Sequence, residues 1–467
     1  MYSLLLILIP VVAGITTFFL KDEKTAKGFS LLGAIATLVI SLLSLCNKTQ
    51  LGYNADWIPN LNAHFSLSLD GVSKMLCLLN SISLPIIFIS IYNSSYKNNN
   101  QFFALMLLMQ AGIMGVFLAN DALLFYFFWE LALIPAYFLC SIWGGEKRIQ
   151  VTFKFFIYTF VGSLLMLLGL IYLYLQTPGG HSFAYNDFLK LNLSLHQQNF
   201  VFALMFIAFA IKMPIFPFHT WQPDAYEQAP TPVTMVLSGV MVKMGIFAVI
   251  KWLLPIVPLG VKSHSNFVII LSVIGMIYAS IIAIKQDDVK RLIAYSSIAH
   301  IGLMCAAIFT KSTQGMDGVL IQMFNHGINV IGLWIVADVV EKQVGTRKLS
   351  ELGGLAHKAP VLTILLVVMA FANIALPLTN AFVGEFLMFS GLFTFNIWFA
   401  AIALISIILG AVYTLSMVQK MFYGNTVLQT ENAIDISLNI KIALIILVIM
   451  VLILGVYPTP MLNLIHS

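Results

Sequence analysis

The chain has 467 residues, 60% of them hydrophobic and only 9% charged, with a mean hydropathy of +0.95. These values exclude a water-soluble globular domain, and a net charge of +5 scattered over short segments excludes a nucleic-acid surface, which needs a clustered basic patch. The four cysteines, Cys46, Cys77, Cys140 and Cys305, form no CxxC pair and read as small core residues. With no GxGxxG after a strand, no GxxxxGKS/T and no HExxH, nucleotide, iron–sulfur and zinc chemistry have no visible seat.

Apolar runs and their breaks predict fourteen membrane spans. The first seven lie at about 3–20, 28–46, 75–92, 102–119, 121–142, 152–175 and 200–218, and the rest begin near 231, 267, 291, 316, 359, 397 and 438. The first run lacks a basic start and a small-residue cleavage pattern, so it reads as a retained span. Between the second and third spans, residues 51–74 with Asp70-Gly71 read as an outside turn region without chemistry. Of the 24 Lys and Arg residues, 16 fall in or beside the loops on one side. Six fall on the other, Lys48, Lys74, Lys190, Lys251, Lys262 and Lys311, while Lys212 and Lys243 lie within spans. Cytoplasmic loops carry the excess of basic residues, which places both termini outside.

Glu130, in FYFFWELALIPAYF, sits eight residues into the fifth span, where a central charge costs about 2.5–3.5 kcal/mol on insertion scales. The seventh span carries Lys212 and then meets Pro214 and Pro217. Each proline removes an amide hydrogen and clashes with the carbonyl four residues back, so a break with free carbonyls at Ala210 and Met213 is expected. Asp224 and Glu227, just beyond and close to His219, read as ordinary solvated loop residues. In the eighth span Lys243 lies between Gly239 and Gly245, which let neighbouring backbones approach.

His300 follows Ser296 by one turn in the tenth span. In the eleventh, Gln322, Asn325, His326 and Asn329 share one face of an otherwise apolar helix, a polar stripe that calls for water. The twelfth apolar segment, about 359–393, would be roughly 50 Å long as continuous helix against a hydrocarbon core of about 30 Å, so Pro377 must break it. Glu385 follows eight residues later. Two interrupted helices five spans apart suggest five-helix repeats in which the second copy is inverted, the arrangement of many ion pathways.

Two carboxylates and two amines thus occupy the middle of four spans. Structural ion pairs are one account, but desolvation makes buried pairs poor stabilisers. A proton relay is the stronger account, because burial and a mobile counter-charge move lysine and carboxylate affinities toward neutrality and histidine already titrates there. For either histidine alone, a helix-to-helix hydrogen bond serves equally well.

The segments WELALIPAYFL, KMPIFPFHTWQPDAYEQAPTPV, GVMVKMG, DDVKRLIAYSSIAHIG, FNHGINVIGLW and NAFVGEF resemble the antiporter-like, proton-conducting membrane subunits of NADH-quinone oxidoreductase, from about residue 65 to 425. Glu385, where sister L- and N-type chains usually have lysine, and an end soon after the fourteenth span make the M type the nearest likeness. The resemblance implies an all-α polytopic fold of 14 transmembrane helices in a single membrane domain, with two inverted five-helix repeats and broken helices 7 and 12. Helices 1–3 would occupy about 1–95, the repeats about 102–253 and 267–420, and helix 14 about 438–457.

By motif, Glu130 and Lys212 would be a coupling pair, Lys243 the central relay, His300 and His326 the bridge and Glu385 the exit group. The resemblance also implies no cofactor or metal in this chain, with flavin, iron–sulfur clusters, NADH and quinone in partner subunits. L- and N-type chains are expected as neighbours, in a bacterial inner membrane with both termini periplasmic. A subunit of a multisubunit cation/proton antiporter or membrane-bound hydrogenase shares these motifs and is the nearest rival. A purely structural membrane scaffold is a rival of another class.

Overall fold

A computed structural model describes residues 1–46 and 52–466, so Lys48 of the outer basic set lies outside the described residues. Helices begin where the sequence supplies acceptors for orphaned amide hydrogens. Helix α1 is Tyr2–Phe19, and α2, Glu23–Leu45, is capped by Asp22 on the Thr25 amide. Residues expected to form only a turn region fold as an antiparallel hairpin, β1 (Tyr53–Ile58) and β2 (Ala63–Leu67), with Asn62 in the left-handed conformation. Asn and Gly dominate such positions, and Asn62 alone is a weak sequence signal. Helix α3, Gly71–Ser90, starts from Asp70, which caps the Ser73 amide and pairs with Lys251 at 2.6 Å. Asp70 therefore has a role that the sequence gave no reason to assign.

The next spans are α4 (Asn99–Leu118), α5 (Ala122–Trp143, capped by Asp121) and α6 (Arg148–Gln176). The seventh span is broken as expected into α7 (Leu195–Lys212) and α8 (Trp221–Gln228), with Pro214 and Pro217 between them. The carbonyl of Ala210 is not left bare: it accepts from the Ile215 amide at 3.1 Å, and that of Ile211 accepts from the Trp221 indole at 3.0 Å.

Helix α9, Thr231–Ile256, contains two wide π turns, Leu237–Met241 and Val249–Leu253, one on each side of Lys243. Then come α10 (Pro258–Lys285), α11 (Val289–Phe309, capped by Asp288) and α12 (Thr313–Val344, capped by Ser312). The twelfth span is two short apolar helices, α13 (Pro360–Asn373) and α14 (Asn380–Phe395), flanking Pro377. Ala375 and Leu378 adopt positive φ in that break. Helices α15 (Ile397–Phe422) and α16 (Leu438–Val456) follow, with a short C-terminal helix, Thr459–Ile465.

Among the described residues, thirteen helices are long and apolar enough to cross a membrane, and α13 with α14 stands in the remaining place. Helices α9 and α12 are almost wholly buried, whereas α1, α2, α15 and α16 keep most of their apolar surface outward. That is the reverse of a soluble fold and suits a lipid surround. Cys77, Cys140 and Cys305 are core residues, but Cys46 is exposed at the end of α2 and is not the core residue expected.

Candidate functional site

The centre of the molecule is set by close helix contacts. A Cβ at Gly245 would come within 2.8 Å of the Met213 nitrogen and 2.9 Å of the Phe209 carbonyl, so glycine is what seats α9 against the end of α7. On the opposite side, a Cβ at Gly327 would stand 2.8 Å from the Gly239 carbonyl. These contacts hold Lys243 between the broken seventh span and α12. Its ammonium donates to the Ser238 carbonyl at 2.8 Å and lies 2.8 Å from Nδ1 of His326. A π turn brings residues five apart to the same side, which lets the side chain reach back to that carbonyl.

From His326 the polar groups continue. Its Nε2 lies 3.2 Å from the Ser297 hydroxyl, and its ring centroid is 5.6 Å from that of His300. His300 Nδ1 in turn lies 3.1 Å from Oε1 of Glu385, which also accepts from Gln322 at 3.5 Å. The structure thus brings four predicted residues, Lys243, His326, His300 and Glu385, into one row drawn from α9, α12, α11 and α14.

The other two predicted residues lie together but apart from that row. Lys212 is fully buried, with its ammonium 5.4 Å from the Trp129 ring centroid, a cation–π contact. Glu130 is half-buried, with Ser163 and Lys212 as its polar surroundings. Neither Glu130 Oε1 nor Lys212 Nζ has a hydrogen-bond partner, so the expected pair is two charges facing each other without a direct bond. Buried polar groups in this state call for water or a moving partner.

The amide stripe on α12 is used differently from the water-seeking face expected. Asn325 donates to the Asn380 carbonyl at 2.7 Å and Asn329 to the Ala372 carbonyl at 3.4 Å, so two of its members tie α12 to the broken twelfth span. His326 alone turns to Lys243. Sequence reasoning missed Asn373 and Tyr413. Asn373 donates to Ser296 at 3.3 Å and to Thr414 at 3.0 Å, and Tyr413 lies 3.0 Å from Ser296, all beside Glu385. An asparagine at the last turn before a proline break was the signal available.

Asp224 and Glu227 are not the solvated loop residues expected. Asp224 pairs with Lys154 at 2.8 Å and Arg291 at 3.1 Å, and Glu227 pairs with Arg291 at 2.8 Å and Arg347 at 2.6 Å. Arg347 also pairs with Asp288. These partners lie 64 to 120 residues away along the chain, beyond the reach of local sequence reasoning. His219 is buried between Phe216 and Tyr278, with both ring nitrogens unpartnered.

Comparison with known proteins agrees with this architecture. The profile of the family described as NADH:quinone oxidoreductase/Mrp antiporter, transmembrane, matches residues 119–410. The chain is 36% identical over 454 residues to NADH-quinone oxidoreductase subunit M of Rhodobacter capsulatus, covering 94% of this chain and 88% of that one. It is 35% identical over 475 residues to F420H2 dehydrogenase subunit M of Methanosarcina mazei, covering 98% and 95%. Among solved structures it is similar to a chain of respiratory complex I from Thermus thermophilus with bound NADH, at a TM-score of 0.92 and 28% identity, covering 100% of this chain and 98% of that one.

Proposed function

The chain belongs to the NADH:quinone oxidoreductase/Mrp antiporter family of membrane subunits, and on that premise we propose that its buried row of acids and bases is the path along which it moves protons. It is a proton-translocating membrane subunit of NADH-quinone oxidoreductase, of the M type, and a multi-pass membrane protein. Electron transfer from NADH to quinone proceeds in other subunits, which hold the flavin, the iron–sulfur clusters and the quinone site. L- and N-type chains flank this one in a bacterial inner membrane, with both termini periplasmic. Counting α13 and α14 as one broken span makes fourteen, and the breaks in spans seven and twelve mark two inverted repeats of five.

The observation that carries this reading is the unbroken set of contacts at each end of the row, Lys243 to His326 at 2.8 Å and His300 to Glu385 at 3.1 Å. Histidine suits the middle because it takes a proton at one nitrogen and releases one at the other. Protons enter from the inside through the broken seventh span and load Lys212. Glu130 sets the affinity of Lys212 through its charge. The two carry no direct bond, so a small approach or separation, driven by neighbouring subunits, changes their mutual energy steeply in a low dielectric. Loss of the Glu130 charge's support releases the proton toward Lys243, then His326, His300 and Glu385, from which it leaves outward.

The test is Lys212→Met in the assembled complex, with pumping and quinone reduction measured side by side. Both should fall together, because coupling makes electron transfer wait for the proton. Undiminished pumping would remove the support for this path.

A further inference from the structure

Beside the His300–Glu385 pair lies a cavity of about 20 Å³, bounded among others by His300, Glu385, Asn373, Ser406, Gly410 and Tyr413. A water needs about 10–15 Å³ and two to four polar partners, so this space takes one. His300 Nδ1 is committed to Glu385, and its Nε2 is buried without a hydrogen-bond partner. On another wall the Tyr413 hydroxyl is fixed 3.0 Å from Ser296, which Asn373 in turn holds.

A neutral imidazole has one donating and one accepting nitrogen, and its cation has two donors. Inside a membrane, the ring can change from one form to the other only if the neighbour at each nitrogen tolerates both. Otherwise one state leaves an orphaned polar group, at a cost of about 1–3 kcal/mol. A carboxylate accepts a hydrogen bond from Nδ1 in either form. At Nε2 the partner must donate to the neutral ring and accept from the cation, which water does and an apolar wall does not. We infer that the cavity is a binding site for a single water, which Tyr413 holds against His300, and that Tyr413 is a positioning residue of the proton path. This rests on the assignment of His300 to that path.

Gly410 supplies a clean test. A Cβ there would stand 3.6 Å from the Tyr413 hydroxyl oxygen and 3.9 Å from Cζ, which is ordinary contact. Gly410→Ala therefore fits without displacing the protein, yet places a methyl group at the wall of a cavity with room for one water. Alanine also favours helix over glycine by about 0.5–1 kcal/mol, so folding is not at risk.

In membrane vesicles carrying the assembled complex, Gly410→Ala and Tyr413→Phe should each slow NADH-driven pumping about tenfold, which corresponds to about 1.4 kcal/mol. Each should also shift the pH of half-maximal pumping, which a packing role for Tyr413 would leave in place. A high-resolution map of the parent complex should show one water within hydrogen-bond reach of His300 Nε2. Parental rate and pH profile in Gly410→Ala, with pumping lost in Lys243→Met, overturns the water site and leaves the relay standing. Parental pumping in both variants overturns both.

Discussion

Replacing Lys243 with methionine separates a proton carrier from a structural tie. The ammonium makes two close polar contacts, to the Ser238 carbonyl and to His326, each at 2.8 Å. Methionine has nearly the same length and no charge. If Lys243 passes protons, its loss removes a positioned transfer group, which contributes about 10²–10⁴-fold, or roughly 3–5 kcal/mol in the barrier. Stability should move the other way, since replacing a buried charge by a well-packed apolar group is often neutral or stabilising by about 1–4 kcal/mol. Pumping is read by dye quenching in inverted vesicles, turnover by quinone reduction and stability by thermal unfolding of the purified complex. The expected result is pumping down at least a hundredfold with an unchanged or raised Tm, on the estimate of. A lowered Tm with pumping retained would refute the reasoning and make the residue a tie between helices.

At the outer end of α3, burial pushes the Asp70 carboxyl up, but the Lys251 ammonium and Ser73 outweigh it and hold it below the usual carboxylate range. A carboxylate lowered in the folded state stabilises above its unfolded pKa, and that contribution fades as pH falls through the folded value, so the parent should lose Tm below about pH 4. Asp70→Asn should cost about 2 kcal/mol at pH 7, less than a fully buried pair because both side chains are partly exposed, and should flatten that acid limb in a pH series of melting curves. Gly245→Ala should cost about 1–3 kcal/mol, because its methyl meets the Met213 and Phe209 backbone rather than a movable side chain; full assembly at parental Tm would contradict the packing described. Asn325→Leu should cost about 1 kcal/mol for the lost bond to the Asn380 carbonyl and also reduce pumping, since α14 carries Glu385; intact pumping would show that this tie does not position the acid.

What the sequence revealed and what it hid divide along physical lines. Proline acts locally, so the breaks after Lys212 and around Pro377 were legible from single residues. An ionisable group in an apolar run stands out against its background, which is why all six candidate residues were found. Their grouping was not: the contact of Lys243 with His326 spans 83 positions, and nothing local says that Glu130 and Lys212 stop short of a bond. The ion network at Asp224 and Glu227 was missed for the same reason. Tyr413 was passed over because an aromatic residue in a membrane helix is ordinary until its hydroxyl is seen beside a carboxylate. The π turns left no trace, since α and π conformations make similar demands on side chains.

Those two wide turns carry a consequence for how this helix can change over generations. Each is, in effect, one extra residue accommodated within an otherwise regular coil, as the Val242 amide bonding back to the Leu237 carbonyl shows. Deleting a single codon between 237 and 241 would heal the coil into ordinary winding and rotate everything after it by about 100° relative to what precedes it. Lys243 would swing away from His326 with no change to its own identity. The address of this lysine is therefore written in chain length as much as in residue type, and substitution surveys alone would pass over that dependence.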